Sequence, residues 1–389
     1  MTPERIALWS RAVLLALAVA VALQAVGGAG PAAGLAGRIG GDFPAFWGAG
    51  RIVLDGDAAH LYDWQRQAAA QAALHPGDPP GTFLAFAYPP FVALAYAPFA
   101  ALPYRLAWGL HTALAFGAVA AAVAWARPSL PRLAAHPEAL LVASIAAYPL
   151  GASIGGAQNT PFTLLGLTAV LAGLRHPRGR IAAGFAAGLL AYKPQLAAPI
   201  LGLLLVAREG RALAAASATL GGLWAVGAAV AGPTWPLVWW RDGVVGFQAH
   251  DADVNGPNAV SVLGFAEAVL GVGHPLAVGL ALPLVAGLAA ATAWAWARPR
   301  ADDLAERMGL ATFTTILVTP HGMFYDAGIA TLGAWVLADR GSPAVRTAVA
   351  CAVPLAATQI FAERLGVSPL FPLLGVGWAL AWRQWRARR

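Results

Sequence analysis

Long apolar stretches alternate with short polar connections along the whole chain. A helix that crosses a membrane needs about 20 predominantly apolar residues, and the first such stretch lies at 10–28. Further apolar stretches lie at 84–102, 106–126, 139–174, 181–207, 212–231, 274–297, 308–319, 327–338, 344–361 and 369–382. This pattern predicts an all-α, polytopic transmembrane helical bundle with about 10–12 membrane segments. We expect it to form a single integral membrane domain over residues 1–389.

Two long polar intervals interrupt the apolar pattern. The first, 29–83, predicts a long first extracytoplasmic loop, and 232–258 predicts a second outer loop within the remaining membrane bundle, 84–382. The stretch at 10–28 is longer than the apolar core of a cleaved signal peptide. We therefore interpret it as an uncleaved first span with the N-terminus inside.

Arginines mark the connections that we expect on the cytoplasmic side. They cluster at 175–180, 208–211, 298–307 and 383–389, as the positive-inside rule requires. This places the C-terminus inside, and 319–326 and the turn near Glu363 outside. The connection 127–138 is left open, because its arginines favour the inside whereas simple alternation of spans favours the outside.

Two apolar stretches contain breaks that predict a polar pocket. The stretch 139–174 is interrupted by GGAQNT at 155–160, and 181–207 is interrupted by YKPQ at 192–195. Because 181–207 lies between two arginine-rich connections, it is expected to enter and return as a hairpin. Irregular backbone at membrane depth is tolerated only where protein or a water-filled cavity covers it.

The composition supports a membrane protein and excludes several other classes. Apolar residues make up 59% of the chain and charged residues 11%, with a mean hydropathy of +0.64. The net charge of +7 comes from scattered arginines, so no nucleic-acid partner is predicted. Walker A, HExxH, paired-cysteine zinc and Gly-rich dinucleotide motifs are absent from the sequence. We therefore expect no nucleotide-binding domain, no cofactor and no metal site.

Polar residues near the breaks are the first candidates for function. Lys193 is the only lysine of the chain and lies within YKPQ. It either meets an anionic group such as a lipid-linked phosphate or reaches the interface as a membrane anchor. Gln158 and Asn159 are expected either to hold sugar hydroxyls or to join helices. His321 could hold a phosphate or shuttle a proton, and Asp326 follows it in TPHGMFYD.

Four acids follow the first apolar stretch, and one of them differs from the rest. Asp55, Asp57 and Asp63 lie in a polar turn and are expected to be solvated or capping residues. Asp42 lies among aromatic residues, in GGDFPAFW. A partly desolvated carboxylate near the bilayer surface suits a general base, and an N-cap is the alternative.

Several of these segments occur in the order of a known family. The segments are DFPAFWGAGR with the later LYD (42–63), YPPF (88–91), GAQNT (156–160), YKPQ (192–195) and PHGMFYD (320–326). Over about residues 40–330 the chain resembles the glycosyltransferase family 87 proteins, which have the GT-C membrane fold. Polyprenyl-phosphate-mannose-dependent α-mannosyltransferases are familiar members.

The resemblance implies a mechanism as well as a fold. It implies transfer of a hexose, mannose, from a polyprenyl-phosphate donor to a glycolipid or glycan acceptor, with inversion. The site would face outside the cytoplasm in a multi-pass protein of the bacterial plasma membrane. Asp42 matches the family's catalytic base in the first outer loop. Many GT-C enzymes carry a soluble C-terminal domain, and we expect no such contribution to acceptor binding here.

The resemblance also suggests which side chains surround the substrates. Side chains that would balance the donor phosphate are Lys193, His321, Arg51 and Arg241. Side chains that would contact the sugar or the acceptor are Gln158, Asn159, Tyr88, Gln195 and Asp326. The alternatives are a transporter or lipid flippase, which equally uses broken helices, and a polytopic scaffold without chemistry.

Overall fold

The computed structural model describes residues 40–74, 79, 81–247, 256–300 and 302–387, with residues 8, 11, 12 and 15. Most of the predicted first span, 10–28, lies outside the described residues. Within them the regular structure is helical, and one isolated β-bridge joins Ala259 to Met323. The prediction of an all-α polytopic membrane protein is confirmed.

Eighteen α-helices follow one another along the described residues. They are α1 Phe43–Leu54, α2 Trp64–Gln71, α3 Pro90–Ala100, α4 Tyr104–Ala126, α5 Pro137–Ala146, α6 Tyr148–Gly155, α7 Thr160–Leu174, α8 Arg180–Leu189, α9 Pro194–Val206, α10 Gly210–Ala231, α11 Trp235–Val238, α12 Val262–Leu270, α13 Pro275–Trp296, α14 Leu304–Val318, α15 Thr331–Arg340, α16 Pro343–Leu355, α17 Ala362–Leu365 and α18 Leu370–Arg386.

Four helical segments of the described chain are long and apolar enough to cross a membrane. They are Tyr104–Ser129, Gly210–Ala231, Pro275–Trp296 and Pro343–Leu365. A fifth is formed if α5 and α6, which are bent by 73° at their junction, count as one span. The helices α3, α7 and α9 are apolar but shorter. The figure of about 10–12 segments remains a prediction.

Two consecutive hairpins are built from these shorter helices. In the second, α8 and α9 are joined by a turn, and Arg180 before the hairpin pairs with Glu209 after it at 2.5 Å. Its two ends therefore lie together, as the sequence predicts. Gly184 lets α8 approach α10 closely, since a Cβ there would lie 2.0 Å from the Ala212 carbonyl oxygen. Small residues commonly permit such approach between membrane helices.

The first hairpin consists of α5, α6 and α7, and its tip is the stretch 147–160. The second hairpin tip, 190–194, meets it where the Tyr192 hydroxyl donates to the Asn159 carbonyl oxygen at 2.9 Å. Both stretches that the sequence marks as broken therefore end at the same place in the fold. Each helix break is covered by the other, which satisfies the requirement for buried irregular backbone.

The position of the connection 127–138, left open by the sequence, follows from its contacts. Arg340 at the end of α15 donates to the Ser129 carbonyl oxygen at 2.9 Å. The Asp339 carboxylate accepts from the backbone N–H groups of Arg132 and Leu133 at 2.8 and 2.9 Å. These contacts place the connection at the same end of the bundle as the ends of α13, α15 and α18. We call this end, rich in arginine, the arginine end.

A group of charged side chains, four of them buried and Arg340 half-buried, closes the arginine end. Its members, the arginine cluster, are Asp303, Glu306, Arg307, Asp339 and Arg340. Arg307 pairs with Asp303 at 2.7 Å, and Arg340 pairs with Glu306 at 2.8 Å. Indole N–H groups complete it, because Trp385 donates to Asp303 at 3.0 Å and Trp296 to the Arg307 carbonyl at 3.1 Å.

Helix α14 is the axis of the bundle. All residues from Ala305 to Leu317 are buried, and a helix that is buried on every side belongs to the core. Its 15 residues extend about 22 Å at 1.5 Å per residue. They separate the arginine cluster at one end from the segment 319–326 at the other.

The segment before α4 forms a second, aromatic core. Phe43, Phe46, Phe86 and Tyr96 are buried there, with Phe46 stacked on Tyr96 at 4.7 Å between ring centroids. Helices α1, α2 and α3 pack together around these rings. This aromatic unit lies at the end of the bundle opposite the arginine end, against the two hairpin tips.

Candidate functional site

Asp42 is placed by a close contact between the aromatic unit and the first hairpin tip. Its backbone N–H donates to the Gly156 carbonyl oxygen at 3.1 Å. The preceding Gly41 has φ +51°, and a Cβ there would lie 2.7 Å from the Gly156 Cα, so this approach requires glycine. Asp42 occupies the N-cap position of α1 but makes no side-chain cap hydrogen bond. Its carboxylate instead accepts from Gln158 Nε2.

The first hairpin tip presents two amides to this region. Ala157 has φ +53°, an unusual conformation for a residue with a Cβ. It turns the chain between α6 and α7. The next two residues, Gln158 and Asn159, are buried, with 4% and 5% of their surface exposed. Asn159 Oδ1 accepts from the Tyr96 hydroxyl at 2.6 Å.

Lys193 lies at the second hairpin tip and is buried. A short 3₁₀ turn, Leu190–Tyr192, ends at Lys193, and Pro194 begins α9. The ammonium nitrogen lies 2.5 Å from Asp326 Oδ1, and the two residues are 6% and 1% exposed. The anionic group that Lys193 meets in the structure is the Asp326 carboxylate of the same chain, and its contact with a lipid-linked phosphate stays a prediction.

Asp326 is held in place by the loop between α14 and α15. Its Oδ2 accepts from the Met323 backbone N–H at 3.3 Å. The β-bridge between Ala259 and Met323 joins this loop to the end of the predicted outer loop 232–258. The position of the carboxylate therefore depends on segments that are distant in the sequence.

Tyr88 connects the two acidic residues of the site. Its ring lies 5.8 Å from the Lys193 ammonium and is stacked on Tyr192 at 6.3 Å. Tyr192 in turn donates to the Asn159 carbonyl oxygen, next to the Gln158 side chain that binds Asp42. We name Asp42, Tyr88, Gln158, Lys193 and Asp326 the site cluster, because these contacts bring them to one place.

The remaining candidates lie around or outside this cluster. His321 is half-buried, and its ring packs against Phe247 at 6.1 Å. Gln195 is half-buried in the first turn of α9. Arg51 and Arg241 are exposed and pair with Asp55 at 3.1 Å and with Asp242 at 2.7 Å. These pairs are the side-chain contacts that the structure shows for the two arginines.

Some polar residues of this region were missed by the sequence reasoning. The centroid of the Tyr325 ring lies 5.1 Å from the Lys193 ammonium nitrogen. The sequence predicted no role for Tyr325. His111 and Tyr96 lie behind Asn159, with 2.9 Å between His111 Nε2 and the Tyr96 oxygen. An ionisable residue inside the apolar stretch 106–126 was a signal for His111. Tyr96 carries no comparable signal, since tyrosine is common in apolar segments.

The described residues contain no group of three or more His, Cys, Asp or Glu side chains that could hold a metal ion. The chemistry of the site cluster is that of carboxylates, amides, one ammonium and phenols. Such groups can accept a proton, bind hydroxyls and interact with an anion.

Comparison with known families identifies the chain. Residues 86–320 match the family described as Glycosyltransferase family 87, which is more than half of the chain. The chain belongs to glycosyltransferase family 87. No curated protein and no solved structure matches it.

Membership of family 87 establishes a membrane glycosyltransferase, which acts on a sugar donor and an acceptor. It favours this activity over the transporter, flippase and scaffold alternatives. The matched residues include Tyr88, Gln158 and Lys193, whereas Asp42 precedes them and Asp326 follows them. The roles of individual residues are therefore proposals.

Proposed function

We propose that this family 87 protein transfers a hexose, mannose, from a polyprenyl-phosphate donor to a glycolipid or glycan acceptor. Asp42 is the general base, and the reaction inverts the anomeric carbon. The observation that carries the proposal is the contact of the Asp42 carboxylate with Gln158, beside the buried Lys193–Asp326 pair. These contacts support a site that combines a base, hydroxyl-binding amides and a cation at the meeting point of two hairpin tips.

In the proposed reaction the Asp42 carboxylate accepts the proton of the acceptor hydroxyl. The hydroxyl oxygen attacks the anomeric carbon as the bond from that carbon to the phosphate oxygen breaks. Polyprenyl phosphate leaves with the electron pair. Because a phosphate leaves without protonation, one carboxylate is sufficient, in contrast to the carboxylate pair of glycoside hydrolases.

Lys193 is assigned to the donor phosphate. An ammonium has three N–H donors, and one of them reaches Asp326. The others are available to phosphate oxygens, and preorganised positive charge stabilises a developing anion. Asp326 orients Lys193 and offsets the cost of a cation at a depth where an isolated one would be unfavourable. Since Arg51 and Arg241 pair with neighbouring acids, Lys193 and His321 are the preferred phosphate contacts.

The site is proposed to face away from the cytoplasm. The connections 127–138 and 298–307 meet at the arginine end. Cytoplasmic loops carry an excess of arginine and lysine. The site cluster lies at the opposite end, which is consistent with a lipid-linked donor in place of a cytoplasmic sugar nucleotide.

The proposal is tested by assaying Asp42→Asn with purified protein and a synthetic polyprenyl-phosphate mannose. We expect transfer to fall by about 10²–10⁴-fold, as for loss of a general base. Glucose- and arabinose-bearing donors tested beside it identify the sugar. The matched control is Asp55→Asn, which removes a carboxylate of the same segment that pairs with Arg51 and Arg66. Full activity of Asp42→Asn would reject Asp42 as the base.

A further inference from the structure

The two neighbouring amides of the first hairpin tip are each only half satisfied. Gln158 Nε2 donates to Asp42, whereas Gln158 Oε1 is buried without a hydrogen-bond partner among the described residues. Asn159 Oδ1 accepts from Tyr96, whereas Asn159 Nδ2 is equally buried and without a partner there. Buried polar atoms are normally hydrogen-bonded. One open acceptor and one open donor therefore lie on adjacent residues.

The orientation of the Asn159 amide depends on a buried relay behind it. The Tyr96 oxygen lies 2.6 Å from Asn159 Oδ1 and 2.9 Å from His111 Nε2. Tyr96 has one hydroxyl proton, so it donates to only one of these neighbours. If it donated to His111, the Asn159 amide would have to turn over and present its oxygen to the site.

The other nitrogen of His111 decides between the two arrangements. His111 Nδ1 is buried and has no hydrogen-bond partner in the described structure. A buried N–H without an acceptor is rarer than a buried lone pair without a donor, so Nδ1 is the unprotonated nitrogen. His111 then donates from Nε2 to Tyr96, and Tyr96 donates to Asn159 Oδ1. This leaves Asn159 Nδ2 as the open donor.

Two further contacts aim this donor at the site cluster. The Asn159 side chain lies close to the Tyr88 hydroxyl, and its Nδ2 makes no hydrogen bond with any described residue. The Asn159 backbone is fixed separately, by the Tyr192 hydroxyl on its carbonyl oxygen. His111 and Tyr96 therefore orient the Asn159 side-chain amide, whereas Tyr192 holds the Asn159 backbone.

We propose that His111 and Tyr96 are positioning residues that hold Asn159 Nδ2 as a donor beside the Gln158 Oε1 acceptor. This pair binds two neighbouring hydroxyls of the transferred sugar. Asn159 Nδ2 donates to one hydroxyl, and Gln158 Oε1 accepts from the other. A phosphodiester fits the pair poorly, because its oxygens carry no proton for Gln158 Oε1. The inference rests on the proposed function and adds the hydrogen-bond polarity of its sugar subsite.

The test uses polyprenyl-phosphate mannose donors in which single sugar hydroxyls are replaced by fluorine or by hydrogen. Fluorine can accept a weak hydrogen bond but cannot donate one, and hydrogen does neither. At the hydroxyl read by Asn159, the fluoro donor is expected to bind roughly tenfold more tightly than the deoxy donor, the worth of about one hydrogen bond. Binding is measured because fluorine also lowers kcat/KM by destabilising positive charge at the anomeric carbon. At the hydroxyl read by Gln158, both analogues are expected to be equally poor.

Tyr96→Phe removes the hydroxyl that fixes the Asn159 amide, so the difference between fluoro and deoxy donors should fall to about one. The matched control is Tyr192→Phe, the same change acting on the Asn159 backbone. It is expected to reduce transfer while keeping the difference. Because the readout is a ratio measured on one preparation, partial loss of folded protein does not affect it. Asn159→Asp, which cannot donate when ionised, should also abolish the difference.

The outcomes separate the two proposals. A wild-type protein that transfers no sugar from any lipid-phosphate donor overturns the proposed function and this inference with it. A wild type that transfers mannose but treats fluoro and deoxy donors alike at every position overturns only the subsite. An unchanged difference in Tyr96→Phe overturns the positioning role of the relay.

Discussion

Two groups of buried charges lie at opposite ends of α14, and they are built differently. In the arginine cluster each ion pair joins short-range neighbours or helix ends, such as Asp303 and Arg307 four residues apart. In the site cluster Lys193 and Asp326 are 133 residues apart in sequence and meet at helix breaks. The first group fastens the ends of regular helices. The second brings together irregular segments that would otherwise be exposed.

The two groups also differ in what surrounds the charges. Around the arginine cluster, indole and backbone groups donate to Asp303 and Asp339. In the site cluster, Gln158 keeps a buried polar atom without a partner in the described chain. Buried polar atoms without a hydrogen-bond partner in the described chain occur in both groups, and in the arginine cluster they include Asp339 Oδ2 and Arg340 Nε. The groups differ in their neighbours, which are tryptophans and helix ends in the arginine cluster and a second carboxylate with an amide, Asp42 and Gln158, in the site cluster. Substitutions at the two ends should therefore affect different properties.

The largest effect on stability is expected from Arg340→Met. This change removes the bonds that Arg340 donates to Glu306, to Ser129 and to the Asp302 carbonyl oxygen. Breaking a buried ion pair in this way costs about 3–5 kcal/mol. Thermal denaturation in detergent measures it, with the exposed Arg383→Met as control. Transfer per folded molecule should stay within about twofold, and a selective loss of activity would contradict the division between the two ends.

The reverse effect is expected from the double variant Lys193→Met with Asp326→Leu. Apolar replacement of both partners of a buried pair is often neutral or stabilising, so the melting temperature should not fall. Transfer should fall by about 10²–10³-fold, as when one preorganised group is lost. Steady-state kinetics with the lipid donor decides the matter. Near-normal transfer would make the pair a structural element like the arginine cluster.

A smaller effect is expected from Trp385→Phe. The ring volume is largely kept, but Asp303 loses the indole N–H at 3.0 Å. A buried carboxylate that loses one donor costs about 1–3 kcal/mol. Trp382→Phe is the control, since that ring stacks on Trp378 in the same region. Equal destabilisation by both variants would show that ring packing, and not the hydrogen bond, is the main contribution.

The smallest effect is expected in the exposed loop after α1. Hydrogen bonds from His60 and then Arg66 lower the pKa of Asp57 below 3.8, and the bond to Asp57 raises the pKa of His60 above 6.5. The His60 contribution to stability is therefore present below pH 6.5 and is lost as the pH rises through the raised pKa. The Asp57 contribution is lost as the pH falls through its lowered pKa.

Asp57→Asn tests this linkage. The pKa of His60, followed by NMR of labelled histidine, should return towards 6.5, while sugar transfer is unchanged. A His60 titration that does not move in the variant would contradict the assigned pair. A large change in transfer would mean that the loop takes part in the site.

The sequence was sufficient to predict the fold class and the two helix breaks. It did not show that the two breaks meet in the folded protein. The breaks at GGAQNT and YKPQ were visible because polar residues interrupt apolar stretches. The contact between Asn159 and Tyr192 could not be predicted from the sequence, because it joins the two hairpin tips in the tertiary structure. The end of the bundle at which 127–138 lies was likewise not predictable, because it depends on the contact between Arg340 and Ser129.

Individual partners were the least accessible to sequence reasoning. Lys193 was identified as a lone lysine, but nothing local indicates that Asp326 neutralises it. Arg51 and Arg241 were candidates by charge alone, and their neighbouring acids Asp55 and Asp242 engage them. Asp42, by contrast, lies where its aromatic neighbours suggested, at the edge of the aromatic unit.

The distance between Lys193 and Asp326 along the chain has a consequence for biogenesis. With 133 residues between them, a ribosome adding about 5–20 residues per second needs roughly 7–27 s to supply the carboxylate after the lysine. During that time the ammonium must remain hydrated or be shielded by the insertion machinery. We expect the second hairpin to stay shallow until α14 and Asp326 emerge, so that the end of the bundle with the site cluster is among the last parts to assemble.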